Sequence, residues 1–172
     1  FNQAIGYLRE VPNSHPLFIE LEQRIRITKG KLLVQRYNKK IIYISTDYVY
    51  EGKDGNYKET DAMKPFTKYG WSKLGGECAV KMYSNSLILR ITMTEKPFAY
   101  KKAYTNLKTN FIFHEDLVKI LPKVISKKGI LNIGGKTQSV YKFAKKTNPF
   151  VKGIRATKSS KLPLNQTMNT NL

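Results

Sequence analysis

Cysteine is almost missing from this 172-residue chain: Cys78 stands alone, which rules out an internal disulfide and leads us to expect a reducing compartment. Histidine is as scarce. His15 and His114 lie far apart without ligand-spaced companions, so no metal site is expected. No apolar run approaches the roughly 18 residues that a membrane span needs. The opening residues Phe1 to Gly6 lack the basic start and apolar stretch of a signal peptide. Together these absences lead to the expectation of a soluble, cytoplasmic protein with no membrane partner. Arginine is short too, with 6 Arg against 25 Lys, although the net charge reaches +19. Forked guanidinium contacts dominate specific phosphate and base recognition, and these lysines form no dense stripe, so a nucleic-acid partner is not expected. The positive field instead favours small anionic ligands such as nucleotides.

Hydrophobic residues at 41% and aromatics at 12% suit a globular chain, long enough for one domain with a core. The chain starts at Phe1 and stops at Leu172 without a terminating element, so a piece of a longer protein is expected. Pro12 to Pro16 mark a turn, and Leu17, Phe18, Leu21 and Ile25 recur at helical spacing. Leu32, Leu33 and Gln35 to Asn38 read as the end of a second helix. Ile41 to Ser45 and Leu87 to Ile91 are short β-branched and apolar runs, hence buried strands. Asn110 to Phe113 and Ile130 to Ile133 read as two more. Helices are expected from Pro65 and Thr67 to about Ser84, from His114 or Glu115 to Ser126, and from Ser139 to Lys146. After Pro149 the chain reads as polar and irregular. Cys78 is expected in the core and Asp116 as a first-turn helix acid. Alternating strands and helices predict an α/β fold with a largely parallel sheet, whose ligands sit beyond the carboxyl ends of the strands.

Three Tyr/Lys pairs occur at four-residue spacing: Tyr69/Lys73, Tyr104/Lys108 and Tyr141/Lys145. Chance alone gives about 1.6 such pairs at this composition, so spacing by itself carries nothing. Context selects the first. Tyr69 and Lys73 share a face of a predicted helix, one loop after Ser45 and Thr46 at a predicted strand end. A phenol beside an ammonium gives up its proton more readily, and a hydroxyl can bind an oxygen on which charge develops. Those are the requirements of a carbonyl-reducing site.

The stretch from Ile44-Ser45-Thr46-Asp47-Tyr48-Val49-Tyr50-Glu51-Gly52, through Tyr57, Glu59, Asp61 and Pro65, to Tyr69-Gly70-Trp71-Ser72-Lys73-Leu74-Gly75-Gly76-Glu77 resembles the dTDP-4-dehydrorhamnose reductase family of extended short-chain dehydrogenases/reductases. The likeness continues more faintly through Leu87 to Arg90, His114 to Val118, Leu131 to Gly135, Tyr141 to Ala144 and a tail around Leu162-Pro163-Leu164. It implies a partial Rossmann-like parallel sheet with flanking helices, the C-terminal portion of such a reductase, as one domain over 1–172. Residues 1–30 diverge from the family, and 92–172 would hold substrate-binding portions. By resemblance, Tyr69 is the general acid, and Lys73 tunes it and contacts the ribose of NADPH or NADH. Thr46 is the hydroxyl partner, Ser45 lies near cofactor and substrate, and Asp47 contacts substrate. The implied reaction reduces the 4-keto group of a nucleotide-linked deoxysugar for polysaccharide precursors, and a homodimer is implied. The family's glycine-rich turn after its first strand is absent here, and so is the aromatic that usually follows the strand ending at Ile91. A non-catalytic sugar-nucleotide-binding or regulatory relative is the alternative.

Overall fold

The computed structural model describes residues 38–157, 160 and 162–170. The chain divides into two compact units, Phe1–Ile41 and Ile42–Leu172, and the described residues belong almost wholly to the second. His15, the helical pattern over 17–25 and nearly all of that over 32–38 lie outside the described residues.

Three strands form the central sheet. β1 (Ile41–Thr46), β2 (Ser86–Ile91) and β7 (Gly129–Ile133) lie side by side in that order, with β2 and β7 parallel and Arg90 opposite Asn132. Strand side chains alternate between faces, and the sequence uses both. Ile42, Ile44, Leu87, Leu89, Ile91, Leu131 and Ile133 turn to one side. There they meet Leu117, Ile120, Leu121 and Val124 of helix α2 (His114–Val124). Tyr43, Ser45 and Arg90 turn to the other side, toward helix α1 (Lys68–Lys81). This mixed α/β arrangement, with helices against both faces, is the expected fold class.

Helix α1 starts where its sequence dictates. Thr67 caps it, its side-chain oxygen accepting from the Gly70 amide at 2.9 Å. Two glycines let it approach closely. A Cβ on Gly70 would stand 2.4 Å from the Tyr48 carbonyl oxygen, and one on Gly76 would meet the Tyr43 phenol. At the head of α2, Asp116 accepts from the Phe113 amide at 3.3 Å, as expected of a first-turn acid. That helix also accommodates Pro122, two residues before its last, whose ring nitrogen cannot donate to the Val118 carbonyl.

Beyond the central sheet, three small pairs build a second region. β3 (Met93–Thr94) runs parallel to β6 (Ile112–Phe113), so the expected strand over 110–113 is shorter and stands outside the main sheet. β4 (Lys102–Tyr104) runs parallel to β9 (Lys152–Ile154), and β5 (Lys108–Thr109) antiparallel to β8 (Gln138–Ser139). The short helix α3 (Val140–Ala144) buries Val140 and Ala144 against Phe98, Ala103 and Val151. The stretch after Pro149 is therefore more ordered than its polar sequence suggests. β9 lies within it, and isolated bridges join Tyr57 to Met168 and Lys108 to Asn165. Cys78 is exposed rather than in the core, because the side of α1 that faces the sheet is occupied by Gly76 and Glu77. Among the described residues no helix is long and apolar enough to cross a membrane, and no cluster of three or more His, Cys, Asp or Glu could hold a metal.

Candidate functional site

β1 ends at Thr46, and a single 3-10 turn, Asp47–Val49, follows at once. This sharp exit leaves Ser45, Thr46, Asp47 and Tyr48 at the carboxyl end of the strand. The first turns of α1 bring Tyr69 and Lys73 opposite them. All six line one cavity of about 310 Å³, together with Ile44, Ile91, Thr92, Met93, Phe111 and His114. Tyr69 is 53% exposed, so its phenol is not sealed in an apolar interior. The Lys73 ammonium donates to the Ile44 carbonyl at 2.9 Å and stands 5.9 Å from the Tyr69 ring centroid and 5.2 Å from that of Tyr43. One of its three protons is thus spent on orientation.

The hydroxyls at the strand end differ in what holds them. Ser45 donates to Glu77 Oε1 at 2.5 Å, and Glu77 in turn receives the Arg90 guanidinium at 2.7 Å. Arg90, fully buried, also donates to the Tyr50 phenol at 2.7 Å and to the Glu59 carbonyl at 3.1 Å. Ser45 therefore belongs to a buried ionic network under the site, although it borders the cavity. Thr46 donates to Asp47 Oδ1 at 3.0 Å while its oxygen accepts from the Tyr48 amide at 3.3 Å. The second Asp47 oxygen is buried and has no partner. Burial pushes the Asp47 carboxyl up to about 7, against the opposing hydrogen bond from Thr46. Burial, and then the Asp47 charge, push the Tyr48 phenol up to about 12.

A larger cavity of about 510 Å³ adjoins this one and shares Asp47, Tyr48, Met93 and Phe111 with it. Its walls are aromatic, with Phe66, Phe98, Tyr100 and Tyr104 as well as the shared rings, and Lys102 adds a cation. Among the described residues, five buried side-chain atoms lack any hydrogen-bond partner: Asp47 Oδ2, Thr92 Oγ1, Thr109 Oγ1 and both amide atoms of Gln166. Every one belongs to a residue lining one of these two cavities. Buried polar atoms are ordinarily satisfied, so these exceptions gather around the two cavities rather than through the core.

The other two Tyr/Lys pairs are not brought to either cavity as pairs. Tyr104 and Lys108 sit on separate short strands, β4 and β5. Lys145 stands 5.8 Å from the Tyr141 ring centroid but donates to the Pro149 carbonyl, and neither residue lines a cavity described above. Sequence reasoning missed His114, Thr92 and Phe111 in the smaller cavity, and Thr109 and Gln166 in the larger. With metal chemistry alone in view, His114 carries no signal in the sequence. The aromatic density between Phe98 and Phe113 was the one signal that pointed to the larger cavity.

Comparison with known proteins agrees with this geometry. Residues 31–111 match the family model described as the RmlD substrate binding domain. A dTDP-4-dehydrorhamnose reductase of Aggregatibacter actinomycetemcomitans is 48% identical over 61 residues, 34% of this chain and 21% of that protein. Methionine adenosyltransferase 2 subunit beta of Danio rerio is 57% identical over 37 residues, 22% of this chain and 12% of that one. A crystal structure of dTDP-4-dehydrorhamnose reductase from Bacillus anthracis, in complex with NADP, superposes with a TM-score of 0.66 at 23% identity. That likeness is one of fold, and it covers 80% of this chain and 58% of that structure. The chain thus spans less than two thirds of each of these proteins. The stretch that supplies the strand end, the turn and the Tyr69–Lys73 helix is thus similar to the RmlD substrate binding domain, over a little less than half of the chain.

Proposed function

We propose that this chain carries the proton-transfer and substrate-holding part of an NAD(P)H-dependent reductase of a nucleotide-linked 4-keto-deoxysugar, serving polysaccharide-precursor synthesis. The observation that carries the reading is a single cavity lined by Thr46, Tyr69 and Lys73, opening beside an aromatic one with unpartnered polar atoms. The smaller cavity suits a ketone and the larger a nucleotide, and the combined space falls in the usual range for small-ligand sites.

Tyr69 delivers the proton to the ketone oxygen. Lys73, fixed by the Ile44 carbonyl, keeps a positive charge beside the phenol as the proton leaves. Thr46 holds the same oxygen once Asp47 carries its own proton, because the threonine hydroxyl is then released from the carboxylate. Lys73, at the edge of the smaller cavity with Thr92 beside it, suits the nicotinamide-ribose end of a dinucleotide. When bound, the reduced nicotinamide supplies the hydride. No residue described in this chain forms the glycine-rich seat for the pyrophosphate, so the fit concerns the nicotinamide end alone.

The test is Tyr69→Phe in the full-length protein, followed by NADPH oxidation with a dTDP-4-keto-6-deoxysugar. Loss of a general acid is expected to lower kcat by about 100- to 10,000-fold. Full activity in that variant overturns the assignment.

A further inference from the structure

Helix α1 carries Tyr69 and Lys73, yet it has little apolar surface with which to seat itself. Its buried residues are Gly70 and Glu77, and Leu74 adds a partly buried contact to the cluster of Val49, Tyr50, Tyr57 and Met168. Helix α2, on the other face of the sheet, packs through a ridge of Leu117, Ile120, Leu121 and Val124. Such a ridge interlocks with its neighbours and sets both the rotation and the slide of a helix. In α1 that duty falls on polar bonds. Tyr69, Lys73 and Glu77 stand four residues apart and so share one side of the helix. Glu77 is 3% exposed and Arg90 is fully buried. One Glu77 oxygen accepts from the Ser45 hydroxyl at 2.5 Å and from Arg90 Nε at 3.0 Å, and the other accepts from Arg90 Nη2 at 2.7 Å. The fork is bidentate, and the remaining guanidinium nitrogen is held by the Tyr50 phenol and the Glu59 carbonyl.

Ser45 lies on β1 directly before Thr46, and Arg90 lies on β2, so a single carboxylate ties α1 to the carboxyl ends of two strands. A buried ion pair is weak support for stability, because apolar side chains of like volume often serve as well. What a forked pair adds is a defined direction and register. The Tyr69 ring meets Tyr48 edge-on at 6.2 Å and is half-exposed, so its place opposite Thr46 follows the seat of the helix that bears it. We infer that Glu77 is a positioning residue for the proton transfer: clamped by Arg90 and bonded to Ser45, its carboxylate fixes Tyr69 and Lys73 opposite Thr46. This rests on the reading above that Tyr69 delivers the proton.

The experiment is the kinetics of NADPH oxidation by the full-length protein with a dTDP-4-keto-6-deoxysugar, in Ser45→Ala, Tyr69→Phe and the double variant. Ser45→Ala removes one bond to Glu77 and leaves the Glu77–Arg90 pair intact. It is expected to lower kcat by about 10- to 100-fold, as misplacement of a reacting group does, with KM within about 3-fold of the wild type. In the Tyr69→Phe background the same substitution should change kcat by less than about 2-fold, because no phenol proton remains to be placed. Glu77→Gln leaves a single carbonyl oxygen for both Arg90 and Ser45, and should lower kcat at least as far with KM again held. Where Glu77→Gln does not fold, the Ser45→Ala comparison decides alone. Melting curves of every variant, with kinetics run well below the lowest midpoint, separate placement from scaffolding. A lowered melting temperature with wild-type kcat in Ser45→Ala or Glu77→Gln makes the clamp structural and overturns the inference. A rise in KM at constant kcat marks Ser45 as a substrate contact and overturns it too. So does an equal loss of kcat in both backgrounds, which places the effect away from Tyr69. In each of these cases a slow Tyr69→Phe variant leaves the reductase reading standing. Full activity of Tyr69→Phe overturns both.

Discussion

A carboxylate out of reach of water must find a partner for each oxygen or keep its proton, and Asp47 has a partner for only one. Its carboxyl, ordinarily at 3.8, is pushed up to about 7 in the folded protein. Between those values the folded chain holds a proton that the unfolded chain has lost. Stability from this group is therefore present at acid pH and falls as pH rises from about 4 to 7, by up to a few kcal/mol. Thermal melts of the full-length protein at pH 5 and pH 8 should show this slope, and Asp47→Asn should flatten it. A variant curve parallel to that of the wild type would show that Asp47 is ionised at both values. The sequence marked Asp47 as a substrate contact through family resemblance, yet its burial was not legible. Thr92, which lies against it, comes from a stretch far along the chain.

At the scale of elements, what could be read was what repeats. β1, β2, β7, α1 and α2 each carry several turns or alternations, and their positions differ from expectation by only a few residues. β4 and β9 have three residues each and pair across about 50 positions of sequence, so no periodicity could announce them. Two glycines of the same helix test how closely α1 fits. Gly70→Ala drives a methyl into the Tyr48 carbonyl and should destabilise the fold by about 1–3 kcal/mol. Gly75→Ala meets nothing within 4 Å and should stabilise the helix by roughly 0.5–1 kcal/mol. Urea unfolding of the two variants should move the midpoint in opposite directions. Equal shifts would mean that α1 is not pressed against the turn.

Across the whole molecule, the net charge of +19 sets the field that an anionic ligand meets on approach. Affinity for UDP is expected to fall by about 10-fold or more between 50 mM and 500 mM salt, as screening shortens that field. Salt-independent binding would place the contact on apolar stacking alone. That Thr46, Tyr69 and Lys73 would meet at one cavity was legible because they fall within one short stretch. The larger cavity was not, because Tyr48, Phe66, Tyr100, Phe111 and Gln166 come together only in the fold.

The segment that carries Gln166 is attached by main-chain bonds: Asn165 to Gly52, Gln166 to Lys108, Tyr57 to Thr167 and Asn169 to Tyr57. Side chains anchor it as well: Thr167 Oγ1 accepts from the Asn56 amide, the Asn165 side chain donates to the Asp54 carbonyl, and Met168 is buried beside Tyr50 and Tyr57. A graft from a relative therefore has to keep those three anchors if it is to leave the cavity beside Tyr69 undisturbed.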